Sequence, residues 1–327
     1  MKALLESFVV EAGVSFDRCG KLIVATAETE VSRLRQLHER ASANGVECRL
    51  LDADHAREIE PHAAIHAALH VPETGIVDYT GMCAAMVREI EDLGGEVRFG
   101  ARVRRVERDG ERAVVTLDGE RLMASRVVAC GGLQSDRLAR SSDPRSDVRI
   151  VPFRGDYYEL RPEARHLCRG LIYPVPDPAF PFLGVHLTRM VDGGVECGPN
   201  AVLSLAREGY GRASFELRDA WDALSWPGFQ RLAARHWKTG WGEFRRSWSR
   251  RRFARSLQRL VPELVEEDLL PAPAGNRAQA VRRDGSLVDD FELVRDGPVV
   301  HVVNAPSPAA TASLAIAEHI HRILIGD

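Results

Sequence analysis

The stretch from Gly75 to Gly132 constrains this chain most, because two different periodicities follow one another in it. Met82, Met86, Ile90 and Leu93 recur at spacings of four, four and three, which puts them on one face of a helix. Thr80 offers a capping hydroxyl at its start, and Gly94-Gly95 stops it. Short β-rich runs follow: Glu96–Phe99 with Val103–Arg108, Ala113–Leu117, and Leu122–Met123 leading to Arg126. Asp109-Gly110 and Asp118-Gly119 punctuate them, and Asp-Gly between apolar runs marks a hairpin. Val127-Val-Ala-Cys-Gly131-Gly132 closes the stretch as an apolar strand ending in a glycine pair, where a ligand can approach the backbone closely.

At 327 residues the chain has room for two domains or one intertwined pair. A net charge of −3 gives no global attraction to nucleic acid, so none is expected as a partner. The six cysteines are scattered without a Cys-x-x-Cys pair, which reads as reduced thiols rather than a disulfide framework or a zinc site. No apolar run approaches the ~20 residues that span a bilayer. Glu6 follows Met1 too closely for a secretory signal, and a cytoplasmic location is expected.

His62, His66 and His70 recur every four residues, a spacing that on a helix would suit a metal. Pro61 before them and Pro72 after them favour an irregular connection, so structural histidines and no metal are expected. The polar loop Ser141–Ser146 is the expected crossing into a strand-rich region. In the run Phe182–Thr188, Leu183, Val185 and Leu187 alternate with Gly184, His186 and Thr188. A histidine beside a glycine on a strand face suits a substrate pocket, and it equally suits a packed or solvent-facing position.

All five tryptophans fall in residues 217–262, together with a crowd of arginines from Arg245 to Arg259. Phe253, Leu257, Leu260 and Val261 add an apolar stripe. Such a segment is an ordinary helical subdomain, a peripheral contact with an anionic membrane through 221–260, or, as a weaker alternative, a grip on nucleic-acid phosphates. Near the C-terminus, the strand Val299–Val303 feeds Asn304-Ala-Pro-Ser-Pro308. A helix begins at Ala309, with Ser307 as its natural cap and Pro308 as its first residue.

Several strings resemble the D-amino-acid-oxidase-like FAD-dependent oxidoreductases, and within them the L-2-hydroxyglutarate oxidases: Pro152-Phe-Arg-Gly, Tyr157-Tyr-Glu-Leu-Arg-Pro162, Leu171-Ile-Tyr-Pro-Val-Pro-Asp-Pro178, Gly184-Val-His186 and Cys197-Gly-Pro-Asn-Ala201. The Gly75–Gly132 stretch and Ala274-Gly-Asn-Arg-Ala-Gln279 extend the resemblance over nearly the whole chain, although Ala278 stands where the wider family has proline. The resemblance implies a mixed α/β (α+β) fold. In it, a Rossmann-like FAD-binding domain (76–148 and 270–327) intertwines with an antiparallel-sheet substrate domain (14–75 and 149–269). The family's Gly-x-Gly-x-x-Gly turn, which cradles the FAD diphosphate, is absent from this sequence. Its place lies upstream of Phe16-Asp-Arg-Cys-Gly-Lys-Leu-Ile-Val-Ala-Thr26, so the flavin domain is expected to lack its first βαβ portion.

FAD is the cofactor implied, with Gly131, Gly132, Asn304, Pro306, Ser307 and Ala309 along it. The substrate implied is a 2-hydroxy dicarboxylate, oxidised to the 2-oxo acid with oxygen or a quinone as final acceptor. Arg277 is expected to grip the C1 carboxylate, with Arg154 or Arg189 on the distal one, Tyr173 lining the pocket and His186 as the base. A non-catalytic remnant or binding module is the alternative that the missing glycine turn leaves open.

Overall fold

Asp78, not Thr80, caps the helix that the sequence marks: its carboxylate accepts from the Gly81 N–H at 2.9 Å. A carboxylate one residue before the first helical position reaches the free N–H groups better than a hydroxyl already inside the turn. The computed structural model describes residues 2–142, 147–177 and 184–326. Of the loop expected at 141–146, Ser141 and Ser142 instead end a helix, and 143–146 lie outside the described residues, as does the start of the run at 182–183.

Helix α1 (Lys2–Glu11) leads into β1 (Phe16–Asp17), β2 (Lys21–Ala25), α2 (Glu28–Ala43), β3 (Arg49–Asp52), α3 (Ala53–Ile59), β4 (Ala67–Val71) and β5 (Ile76–Val77). Helix α4 (Tyr79–Asp92) opens the module read from the sequence. The strands β6 (Val103–Asp109), β7 (Arg112–Leu117), β8 (Arg121–Ala124) and β9 (Val127–Ala129) follow, and then α5 (Ser135–Ser142). The second region holds β10 (Val148–Leu160), β11 (Leu171–Pro174), β12 (His186–Arg189), β13 (Val195–Gly198) and β14 (Val202–Leu203). Helices α6 (Leu217–Leu224), α7 (Pro227–Ser247) and α8 (Arg250–Leu257) precede β15 (Leu269–Arg282), β16 (Glu292–Asp296), β17 (Val299–Asn304) and α9 (Ala309–Ile325).

Both Asp-Gly turns form as expected, with Gly110 at φ 62° and Gly119 at φ 81°, and β6-β7-β8 is an antiparallel meander. The strand expected at Glu96–Phe99 does not form; among the described residues no strand is laddered to it, and Phe99 is 83% exposed. Helix α4 buries Met82 against Leu5 and Val9 of α1, whereas Ile90 and Leu93 at its far end stay exposed. The periodic face is therefore covered only where α1 reaches it.

A nine-stranded sheet runs in the order β14-β10-β13-β12-β11-β2-β4-β3, with β15 on β10. Strands from the first 71 residues thus join strands from the second region, through the parallel pair β2–β11. Strand β15 pairs with β10 from Leu269 to Arg282, so residues 270–282, expected in the flavin domain, lie in the large sheet. A separate sheet, β16-β17-β9, carries the parallel pair β17–β9. Alternation assigns the faces of the large sheet: Leu22, Val24, Ile172, Leu187 and Leu160 form its core with Phe253, Leu257, Leu260 and Val261. The apolar stripe of α8 is therefore spent on this core and is not free for a membrane. Burying one such side chain contributes about 1.5–3 kcal/mol.

Buried charges join the two regions. Arg207, almost fully buried, meets Asp136 of α5 at 2.5 Å, and Arg137 reaches Asp219 and Asp222 of α6 at 2.7 and 2.6 Å. Trp226 is buried, while Trp221, Trp237, Trp241 and Trp248 are each more than half exposed. Among the described residues no helix is long and apolar enough to cross a membrane.

Candidate active site

The face of the large sheet turned away from α8 gathers the polar residues. The His186 ring on β12 stacks on the Tyr173 ring of β11, with centroids 4.0 Å apart and planes 20° apart. Thr188, two residues on, shares this face and lies near the Tyr173 hydroxyl. Gly198 of β13 lies opposite His186 in the strand register, and a Cβ there would meet the Tyr157 ring at 2.9 Å. Glycine thus leaves room for the Tyr157 ring against β13. Arg277 of β15 stands near the Tyr157 hydroxyl, and its charge bears on Tyr157, Tyr173 and His186. Lys21, at the start of β2, places its ammonium 5.2 Å from the centre of the Tyr173 ring.

His186 Nδ1 lies 3.1 Å from the Gly184 carbonyl. A carbonyl only accepts, so Nδ1 carries the proton and Nε2 is left as the acceptor. Burial, with the nearby Arg277 and Lys21 charges, lowers the His186 pKa to about 4 against the pull of the Gly184 carbonyl. The imidazole is therefore neutral near pH 7. Burial raises both tyrosines and lowers Lys21.

The two other arginines expected here are engaged elsewhere. The Arg154 guanidinium is buried, with Nε 3.1 Å from Asp156 Oδ1, and donates to the Gly211 carbonyl at 2.8 Å and Ser247 Oγ at 3.1 Å. It braces β10 against α7. Arg189 pairs with Asp17 and so ties β12 to β1. Lys21, Tyr157 and Thr188 were not singled out from the sequence. The available signal was Lys21 itself, a charge heading the otherwise apolar run Leu22–Ala25. The three histidines of residues 62–70 part company: His62 pairs with Glu263, His66 with Glu28, and His70 lies in β4.

The second half of the site is the end of the small sheet. Gly131 follows β9; a Cβ on it would sit 2.8 Å from Leu138, so it packs against α5. Gly132, at φ 49°, faces open space. Asn304 is buried and donates to the carbonyls of Val288 and Asp290, fixing the end of β17, while Ser135 Oγ donates to Val303. Pro308, not Ser307, occupies the cap position of α9, and no side chain caps the helix. The Ser307–Pro308 peptide is cis. Pro306 is half-buried and Ser307 exposed, and Ala309 begins the helix. The uncapped first turn of α9 suits the anionic edge of a reduced flavin ring. The diphosphate has no matching cradle: no Gly-x-Gly-x-x-Gly occurs in the sequence, and β9 is laddered on one side only among the described residues.

The sequence profile of the FAD dependent oxidoreductase (DAO) family matches residues 2–322. The chain belongs to this family. It is 45% identical to an L-2-hydroxyglutarate dehydrogenase of Indibacter alkaliphilus over 314 residues, covering 95% of this chain and 79% of that protein. It is 43% identical to the Escherichia coli K12 protein of the same name (96% and 75% covered) and 40% identical to the human mitochondrial one (96% and 72%). Among solved structures it resembles FAD-bound L-α-glycerophosphate oxidase from Mycoplasma pneumoniae, at TM-score 0.73 and 19% identity, covering 94% of this chain and 73% of that one. L-proline dehydrogenase from P. horikoshii follows at TM-score 0.70 and 16% identity, covering 98% and 77%. At these identities the structural likeness shows the fold alone.

Proposed function

We propose that this protein oxidises L-2-hydroxyglutarate to 2-oxoglutarate. The observation that carries the reading is the neutral His186, its Nε2 unprotonated, on the same sheet face as Arg277. The 40–45% identity to L-2-hydroxyglutarate dehydrogenases supports the choice of acid. Bound FAD supplies the acceptor for the hydride that leaves C2. Arg277 holds the C1 carboxylate through two parallel N–H donors, and Tyr157 steadies its guanidinium. His186 takes the hydroxyl proton at Nε2, and the Tyr173 stack fixes the ring plane. Gly132, Pro306, Ser307 and Ala309 would border the flavin, with Gly131 and Asn304 setting the backbone there. In His186→Asn, turnover falls by about 10²–10⁴-fold with flavin content unchanged. Equal loss of both would remove His186 from the chemistry.

A surface feature supports a membrane-bound quinone as the final acceptor. Between Ala223 and Pro262, Glu243 is the one acid, and it is buried, whereas ten Lys and Arg residues stand in the same span. Along the end of α7 and at its C-cap, the exposed Trp241, Phe244 and Trp248 form a run of rings spaced 5.6 and 6.1 Å apart. Basic charge around exposed tryptophans suits an anionic bilayer surface. The protein should float with phosphatidylglycerol-containing vesicles and be released by a salt wash. No flotation would leave oxygen as the simpler acceptor.

A further inference from the structure

Lys21 has no part in the proton and hydride transfers, yet it stands in the same cluster. Its strand neighbours fix where it points: Leu22 and Val24 enter the core under α8, and Ile23 and Ala25 pack against Leu34 of α2. Lys21 thus shares the face of Ile23 and lies over Tyr173. Among the described residues it has no ion-pair partner, and Arg277 has none either. A partly buried cation kept for the fold alone would have a carboxylate beside it, because removing it from water is otherwise unfavourable. Here the neighbours are an aromatic face and a neutral imidazole, and on that imidazole the Arg277 charge bears as well. In the sheet order, β2 with Lys21 and β15 with Arg277 stand on opposite sides of β12 with His186. Two uncompensated positive charges flanking one neutral base fit a ligand with two carboxylates.

We infer that Lys21 binds the distal carboxylate of the substrate while Arg277 holds the one beside the reacting carbon. The inference rests on the function proposed above. It replaces the expectation for Arg154 and Arg189, whose guanidinium groups are taken by Asp156 and Asp17. The division of labour follows from chemistry. The C1 carboxylate must be aligned for hydride transfer and takes the planar fork, whereas the distal one needs only a positive charge within reach.

The test is equilibrium binding, read by titration calorimetry with FAD present, of 2-oxoglutarate and of 2-oxopentanoate, which has a methyl group in place of the distal carboxylate. Lys21→Met should weaken 2-oxoglutarate by about 10- to 100-fold and leave 2-oxopentanoate unchanged, and Lys21→Arg should restore most of the difference. Equal weakening of both ligands, or no change in either, overturns the role of Lys21 while the proposed reaction stands. If the unaltered protein binds neither 2-oxo acid, the reaction and the inference fall together.

Discussion

His186 is held neutral by its surroundings, and that state makes a pH signature. Burial is the larger cause, and the groups facing the ring are Tyr173, Arg277 and Lys21, with the Gly184 carbonyl on Nδ1. In the free enzyme the acid limb of kcat/KM should therefore fall near pH 4, not near the ordinary histidine value of about 6.5. Substrate carboxylates would offset the two cations and move the limb of kcat to higher pH. Initial rates from pH 3.5 to 8 measure both, and coincident limbs near 6.5 would detach the titration from His186. The sign for stability follows too. The native ring binds its proton less readily than the unfolded one, so its contribution is complete above pH 6.5 and is lost as pH falls towards 4. His186 and Arg277 were legible because a histidine beside glycine, and a Gly-x-Arg string, stand out locally. Lys21 was not, because its significance comes from Tyr173, about 150 positions away, and from the absence of a partner.

Helices α7 and α8 show how far an element can be read before its neighbours are known. Both looked basic and amphipathic in sequence, yet Phe253 and Leu257 of α8 are fully buried while Trp237 and Trp241 of α7 are exposed. Periodicity gives the existence of an apolar stripe; only the packing partner says whether water or protein covers it. Replacing Trp237, Trp241 and Trp248 by serine should thus abolish vesicle flotation with little change in melting temperature. A large loss of stability would mean that these rings pack in the native fold. The Asp-Gly hairpins were legible for the opposite reason, since two residues set the turn and the register follows. The expected strand at Glu96–Phe99 failed because a strand needs a partner that local sequence does not supply.

At the scale of the whole molecule, two sheets carry the candidate site: the nine-stranded one and the three-stranded β16-β17-β9. The place of residues 270–282 in the large sheet was not legible. Strand β15 commits to β10 over long-range pairing that no local signal announces. With the ring-side loop present and no glycine turn for the diphosphate, this 327-residue chain should hold FAD weakly. After mixing with FAD and desalting, the visible flavin band should be largely lost. Dialysis against graded FAD should give micromolar or weaker affinity. A band retained in full would mean that the remaining fold anchors the cofactor without that turn.

The uneven placing of the tryptophans makes the molecule its own optical probe. One indole is sealed at Trp226, where its N–H donates to the Val281 carbonyl, and four others stand at the surface. Emission from the folded chain is therefore a mixture. Acrylamide reaches the surface component at once, whereas the sealed one answers only when the strand beneath it opens. A quenching titration then separates events at the skin of the protein from events in its core within a single spectrum.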